Sequence, residues 1–116
     1  MAHKYIEGDI VMYDNKIHTI MDALGVNNYE LSYISHPVHQ LELSGVPLTH
    51  EILEKNGWEH KDDVYFKDYP QRKLVIYDDK AYIINESCSL FLCKVEFIHQ
   101  LQNLLFGLGL NSEMEV

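Results

Sequence analysis

Basic residues are scarce in this chain: nine lysines and arginines face eighteen acids over 116 residues, giving a net charge of −9. Non-specific nucleic-acid binding depends on counterions released around Lys and Arg, so a field of this sign repels phosphate backbones and argues against DNA or RNA as a partner. Cysteine is scarcer still. Cys88 and Cys93 are the only two, and in an extended segment their odd spacing points them to opposite faces, so no disulfide between them is expected. The Leu- and Phe-rich surroundings predict buried, structural thiols. Long apolar runs are missing too: none approaches the ~20 residues that span a bilayer, and residues 1–7 have no signal-peptide core. The expected location is cytosolic, within a host cell, with no membrane contact. The six glycines are isolated, which leaves no glycine-rich phosphate loop.

What is present is ordinary for a folded protein. Apolar residues at 47% and charged residues at 23% exclude disordered, collagen-like and coiled-coil chains. The length predicts a single domain, 1–116, large enough to bury a core without a metal or a disulfide.

The pattern reads as α+β. Residues 9–13 and 17–21 are β-prone, and Asp14-Asn15-Lys16 between them tolerates turn geometry. Residues 29–33 alternate with Tyr29, Leu31 and Tyr33 on one face, a third strand, and residues 38–43 supply a fourth after His36-Pro37. Short strands at this spacing predict a small bent antiparallel sheet or SH3-like barrel over 1–45. Within 46–58 a short helix is signalled by Thr49 as cap, Glu51 in the first turn and Leu48 and Leu53 at staple spacing. Asn56-Gly57 stops it, and Trp58 follows as a core anchor. Residues 63–68, 72–77, 80–84 and 89–95, within 62–95, read as a β-meander with Asp78-Asp79 as a tight turn.

Over 96–109 the periodicity predicts an amphipathic helix packed on the sheet, with Phe97, Ile98, Leu101, Leu104, Leu105 and Leu108 in one stripe. Residues 111–116 read as a loose acidic tail. The other helix face carries His99, Gln100, Gln102 and Asn103, polar but uncharged, with Phe106 among them. Depleted charge beside an aromatic resembles the middle of an interface. Its alternative is a face covered by the chain itself, with the amides bonding loop backbones.

No catalytic signature emerges. His36 and His39 form the closest histidine pair, but a strand would point them apart and no His-Glu-x-x-His helix exists, so no metal is expected. The acidic pairs Asp62-Asp63 and Asp78-Asp79 suit turns better than acid–base work. No cofactor is implied. Lys55, Lys61, Lys67, Arg72, Lys73 and Lys80 concentrate the positive charge in one stretch and balance the acids around them.

Three stretches carry a resemblance: Ile6-Glu7-Gly8-Asp9-Ile10-Val11, the run from Val46-Pro47-Leu48-Thr49-His50-Glu51-Ile52-Leu53 to Trp58, and the run from Val95-Glu96-Phe97 through His99-Gln100-Leu101-Gln102-Asn103-Leu104 to Phe106. Their order and spacing resemble the short proteins encoded by phages and prophages of gut Bacteroidales, along nearly the whole chain. Family members continue the last helix with Ala-Leu-Thr-Gly, where this chain reads Gly107-Leu108-Gly109-Leu110. The family has no settled catalytic activity, so the resemblance implies no active-site residues; it implies a phage accessory protein that acts by stoichiometric binding, including antagonism of a host defence protein. Two functions are therefore expected to compete. One is a non-enzymatic binder of a host protein or of itself through His99, Gln102, Asn103 and Phe106 with Tyr29 and Tyr33. The other sequesters a nucleotide-derived small molecule, with Arg72 and Lys73 on the phosphate and Trp58 stacked on a base.

Overall fold

Tight turns set the first half of the chain. In the computed structural model, which describes residues 4–70, 72–85 and 88–116, β1 (Ile10–Tyr13) pairs antiparallel with β2 (Lys16–Leu24), from Ile10 opposite Thr19 to Tyr13 opposite Lys16. That register leaves Asp14-Asn15 as a two-residue loop with φ of 50° and 61°. Such left-handed pairs match the twist of a hairpin, and Asp and Asn adopt them because their short side chains bond nearby backbone. The register of β2 then slips between Ile20 and Asp22. A bulge of this kind bends the strand, and the distal half of β2 pairs with β3 (Asn28–Leu31).

Two very short strands, β4 (Val38–His39) and β5 (Ser44–Gly45), complete a five-stranded sheet in the order β4-β3-β2-β1-β5. The strand expected over 38–43 stops after two residues. His39 Nδ1 accepts from Leu41 N at 3.1 Å and Glu42 accepts from His39 N at 3.1 Å, which winds Gln40–Glu42 into a 3-10 turn. Tyr5, Val11, Ile20, Tyr29, Leu31, Val38 and Leu43 form the core under this sheet.

The chain divides into two compact units: Met1–Pro47 with Phe97–Glu113, and Leu48–Glu96 with Met114–Val116. The C-terminal helix, Ile98–Gly107, belongs to the first and lies against β1. It buries Ile98, Leu101 and Leu105 as the periodicity requires, but the buried arc turns toward His99 and Gln102 while Leu104 and Leu108 stay half-exposed. Gly45 fixes how the helix is entered, because a Cβ there would stand 2.6 Å from Cγ of Phe97. Only a hydrogen fits at that distance.

In the second unit, α1 (His50–Lys55) starts where expected: the Thr49 side chain accepts from Ile52 N at 3.3 Å. It stops at Gly57, whose φ of 87° is cheap only without a Cβ. Gly57 N donates to Glu54 O and Trp58 N to Leu53 O, the paired bonds of a Schellman cap. Strands β6 (Glu59–Lys61), β7 (Val64–Tyr69), β8 (Arg72–Tyr77), β9 (Lys80–Ile84) and β10 (Ser89–Lys94) then run as an antiparallel meander, each beside its predecessor. Asp78 and Asp79, with φ of 50° and 59°, form the turn between β8 and β9. Leu53, Trp58, Leu74, Ile76, Ala81 and Val95 are its buried apolar residues.

Two expectations fail here. Cys88 is exposed and only Cys93 is half-buried, both as free thiols; Cys88 precedes β10, so the strand that was to bury it has not begun. Burial pushes the Cys93 thiol up. Nor are residues 114–116 loose. Asn56 Nδ2 donates to Glu115 O at 2.8 Å, Glu115 N donates back to Asn56 Oδ1 at 2.8 Å, and Lys55 Nζ donates to Val116 O at 3.2 Å. No helix among the described residues is long and apolar enough to cross a membrane.

Candidate functional site

A tight loop builds one side of a cleft in the first unit. Ile6 N donates to Asp9 Oδ2 at 3.0 Å while Asp9 N donates to Ile6 O at 3.0 Å, so residues 6–9 close on themselves. Gly8 N donates to Ile20 O and Ile20 N to Asp9 O, each at 2.8 Å, which ties the loop to β2. Gln102 reaches it from the C-terminal helix. Its Oε1 accepts from Ile10 N at 2.9 Å, and its Nε2 donates to Gly8 O at 2.9 Å and Ser112 O at 3.4 Å. One amide thus joins three segments of the chain.

The cleft left between these segments has a volume of about 450 Å3 and is lined by Glu7, Asp9, Asn103, Phe106 and Glu113, among others. Phe106 is 68% exposed, whereas Asp9 is 2% exposed. Burial pushes the Asp9 carboxyl up to about 6 against the opposing pull of the Ile6 N–H bond. Among the described residues no ion pair involves Asp9.

This has a measurable sign. Asp9 titrates higher folded than its unfolded value of 3.8, so between those two pH values the folded chain holds more protons, and stability falls as pH rises. The gap amounts to about 3 kcal/mol. Asn in place of Asp keeps the acceptor for Ile6 N and has no charge to desolvate. Urea titrations of the wild-type protein and Asp9→Asn should show the variant gaining about 3 kcal/mol relative to wild type between pH 3.5 and 7.5; parallel pH profiles would refute the assignment.

Of the residues expected on one contact face, the structure brings Gln102, Asn103 and Phe106 to this cleft and takes the others elsewhere. His99 is buried, with its ring 5.1 Å edge-on from Tyr5 and 5.9 Å stacked from Phe97; its Nδ1 and the Tyr5 hydroxyl are both enclosed without a hydrogen-bond partner among the described residues. Burial and the nearby Lys4 charge lower the His99 pKa. Tyr29 is fully buried, accepting from Tyr5 N and donating to Gln40 Oε1 at 3.2 Å each. His99 and Tyr29 therefore leave the contact face, and Gln102 serves it from behind as a strut. Tyr33 is 100% exposed at a φ of 63°, outside the cleft lining.

The residues expected to hold a nucleotide do not converge. Arg72 and Lys73 are consecutive in β8 and point to opposite faces of the sheet. Lys73 Nζ stands 5.0 Å over the Phe66 ring and 3.6 Å from Asp68, and Trp58 is buried beneath the α1 cap with no face to offer a base. Asp9, Glu7 and Glu113, which the sequence reading left out, carry the charge of the cleft; the only local signal was a Gly8-Asp9 step ahead of an apolar run.

A second cluster lies in the second unit. His50 Nε2 is 2.9 Å from Glu54 Oε1 and His50 Nδ1 is 2.9 Å from the Tyr65 hydroxyl. A carboxylate only accepts, so neutral His50 carries its proton on Nε2 and takes the Tyr65 proton bond on Nδ1. His60 stacks on Tyr65 at 4.6 Å. With His50 and Glu54 side chains 46% and 57% exposed, the network pins α1 to β7 in a setting where such pairs contribute little. Comparison with family models, curated proteins and solved structures finds no match.

Proposed function

We propose that this chain is a phage- or prophage-encoded binding protein, without catalytic activity of its own, that occupies a host protein one-to-one through the cleft of its first unit and so antagonises a host defence. The observation that carries the reading is Phe106, 68% exposed at a cleft that also holds a desolvated carboxyl. An exposed ring on the open side of a helix whose other side is buried recovers its hydration penalty only when a partner covers it, and aromatic residues at the centre of a contact carry a large share of its energy. The sequence resemblance supports the phage origin, and the acidic surface favours a partner of opposite charge.

The test uses Phe106→Asp. Because the ring contributes little to the folded core, the melting temperature should stay within a degree or two. Capture of a specific host protein from infected-cell extract, identified by mass and then measured with the purified pair, should weaken by about 30-fold or more. Equal capture by both forms would remove the reading. A fall in solution mass on mutation would identify a second copy of the chain as the occupant.

A further inference from the structure

We propose that the cleft of the first unit receives a cationic side chain, foremost an arginine guanidinium, presented by the protein it binds. The inference rests on the binding reading above and deepens it. Asp9 is almost fully buried, and among the described residues its carboxyl takes one hydrogen bond, from Ile6 N to Oδ2. Glu7 and Glu113 line the same space. Both donors of the Gln102 side chain are engaged, by Gly8 O and Ser112 O, and among the described lining residues there is no lysine, arginine or histidine, so they offer an anion no opposite charge.

The turn at residues 6–9 does not need the charge. An asparagine would accept from Ile6 N equally well and escape the desolvation penalty, so a carboxylate at this place is explained by something of opposite sign that enters the cleft. Among the described residues no three His, Cys, Asp or Glu groups converge to hold a metal ion. The carboxylates are spread over a cleft of about 450 Å3, which suits an extended planar cation. Phe106 supplies the remaining element, since guanidinium groups prefer an aromatic face and pair with carboxylates through two parallel bonds.

The titratable groups around Asp9 are Glu7 and Tyr5 from its own segment and Glu113 from the C-terminal segment; the helix contributes the uncharged Gln102, Asn103 and Phe106. A bound cation stabilises the ionised Asp9. Affinity should therefore drop as the pH falls below about 6, by up to about tenfold per unit.

The experiment titrates the isotope-labelled full chain at pH 7.5 with N-acetyl-arginine amide, N-acetyl-lysine amide and N-acetyl-citrulline amide, following backbone amide shifts. Saturable shifts at residues 6–9 and 102–106 are expected with arginine, weaker ones with lysine and none with citrulline. Asp9→Asn should reduce arginine affinity at least tenfold without lowering the melting temperature, which a residue with a merely structural role would lower. Glu7→Gln with Glu113→Gln, both at exposed positions, should weaken it several-fold and keeps the test open if the Asp9 variant misfolds. No saturable shift, or equal shifts with citrulline, would overturn the proposal. In that event, loss of protein capture by Phe106→Asp would leave the binding reading standing with a neutral occupant; arginine binding beside capture indifferent to Phe106 would remove the binding reading instead.

Discussion

Gln102→Glu should destabilise the protein by about 3 kcal/mol at pH 8 and by little at pH 4. The wild-type amide works in both directions, accepting from Ile10 N through Oε1 and donating to Gly8 O and Ser112 O through Nε2. A glutamate of the same shape keeps the first bond when ionised but sets a negative oxygen against two carbonyl oxygens with the Asp9 carboxyl nearby in the same cleft. Leaving buried acceptors unpaired and a charge uncompensated costs several kcal/mol. Once protonated, the carboxyl donates through its hydroxyl and reproduces the amide, so the deficit should grow with pH by up to ~1.4 kcal/mol per unit until ionisation is complete. Urea unfolding across that range measures it. A deficit independent of pH would show that the loss lies in packing and that the bonds to Gly8 and Ser112 are incidental.

Trp58→Ala should cost about 3–5 kcal/mol, the usual range for deleting a buried tryptophan. The residue is 4% exposed, follows the Gly57 cap, and donates its backbone N–H to Leu53 O at 3.0 Å. Its ring is the largest of the buried apolar side chains of the second unit, so removing it leaves a cavity. Tyr33→Ala, at 100% exposure, provides the comparison and should change stability by less than ~0.5 kcal/mol. If the two variants unfolded at the same denaturant concentration, Trp58 would not be the anchor of that unit.

The parts of this fold that could be read from the sequence are those whose cause is local. Asp14-Asn15 and Asp78-Asp79 declare their hairpins through residue chemistry, and Thr49 and Gly57 declare both ends of α1. What escaped has distant causes. β6 is Glu-His-Lys, without an apolar alternation, and is a strand because β7 offers it an edge. The sequence leaves the polar side of the C-terminal helix open between a contact face and one covered by the chain itself, because the companions that cover His99 and Gln102, Tyr5 and Ile10, lie more than ninety positions away. Asn103 and Phe106 on the same side did prove open to solvent. Asp9 could not be picked out among eighteen acids, since what distinguishes it is the loss of water around it in the folded chain.

The points where the chain leaves and re-enters the first unit have a consequence for how it folds. Pro47 bridges Phe97, and Ile98 N donates to Val46 O at 2.9 Å, while Leu48 N donates to Glu96 O at 3.0 Å at the ends of the second unit. An excursion whose two ends are clamped together behaves, once folded, as a short link in place of a long floppy one. Completing residues 48–96 early would relieve the first unit of closure entropy on the order of 3 kcal/mol. On a ribosome, those residues emerge before the helix that seals the N-terminal sheet, so the order of synthesis and the cheaper order of assembly coincide.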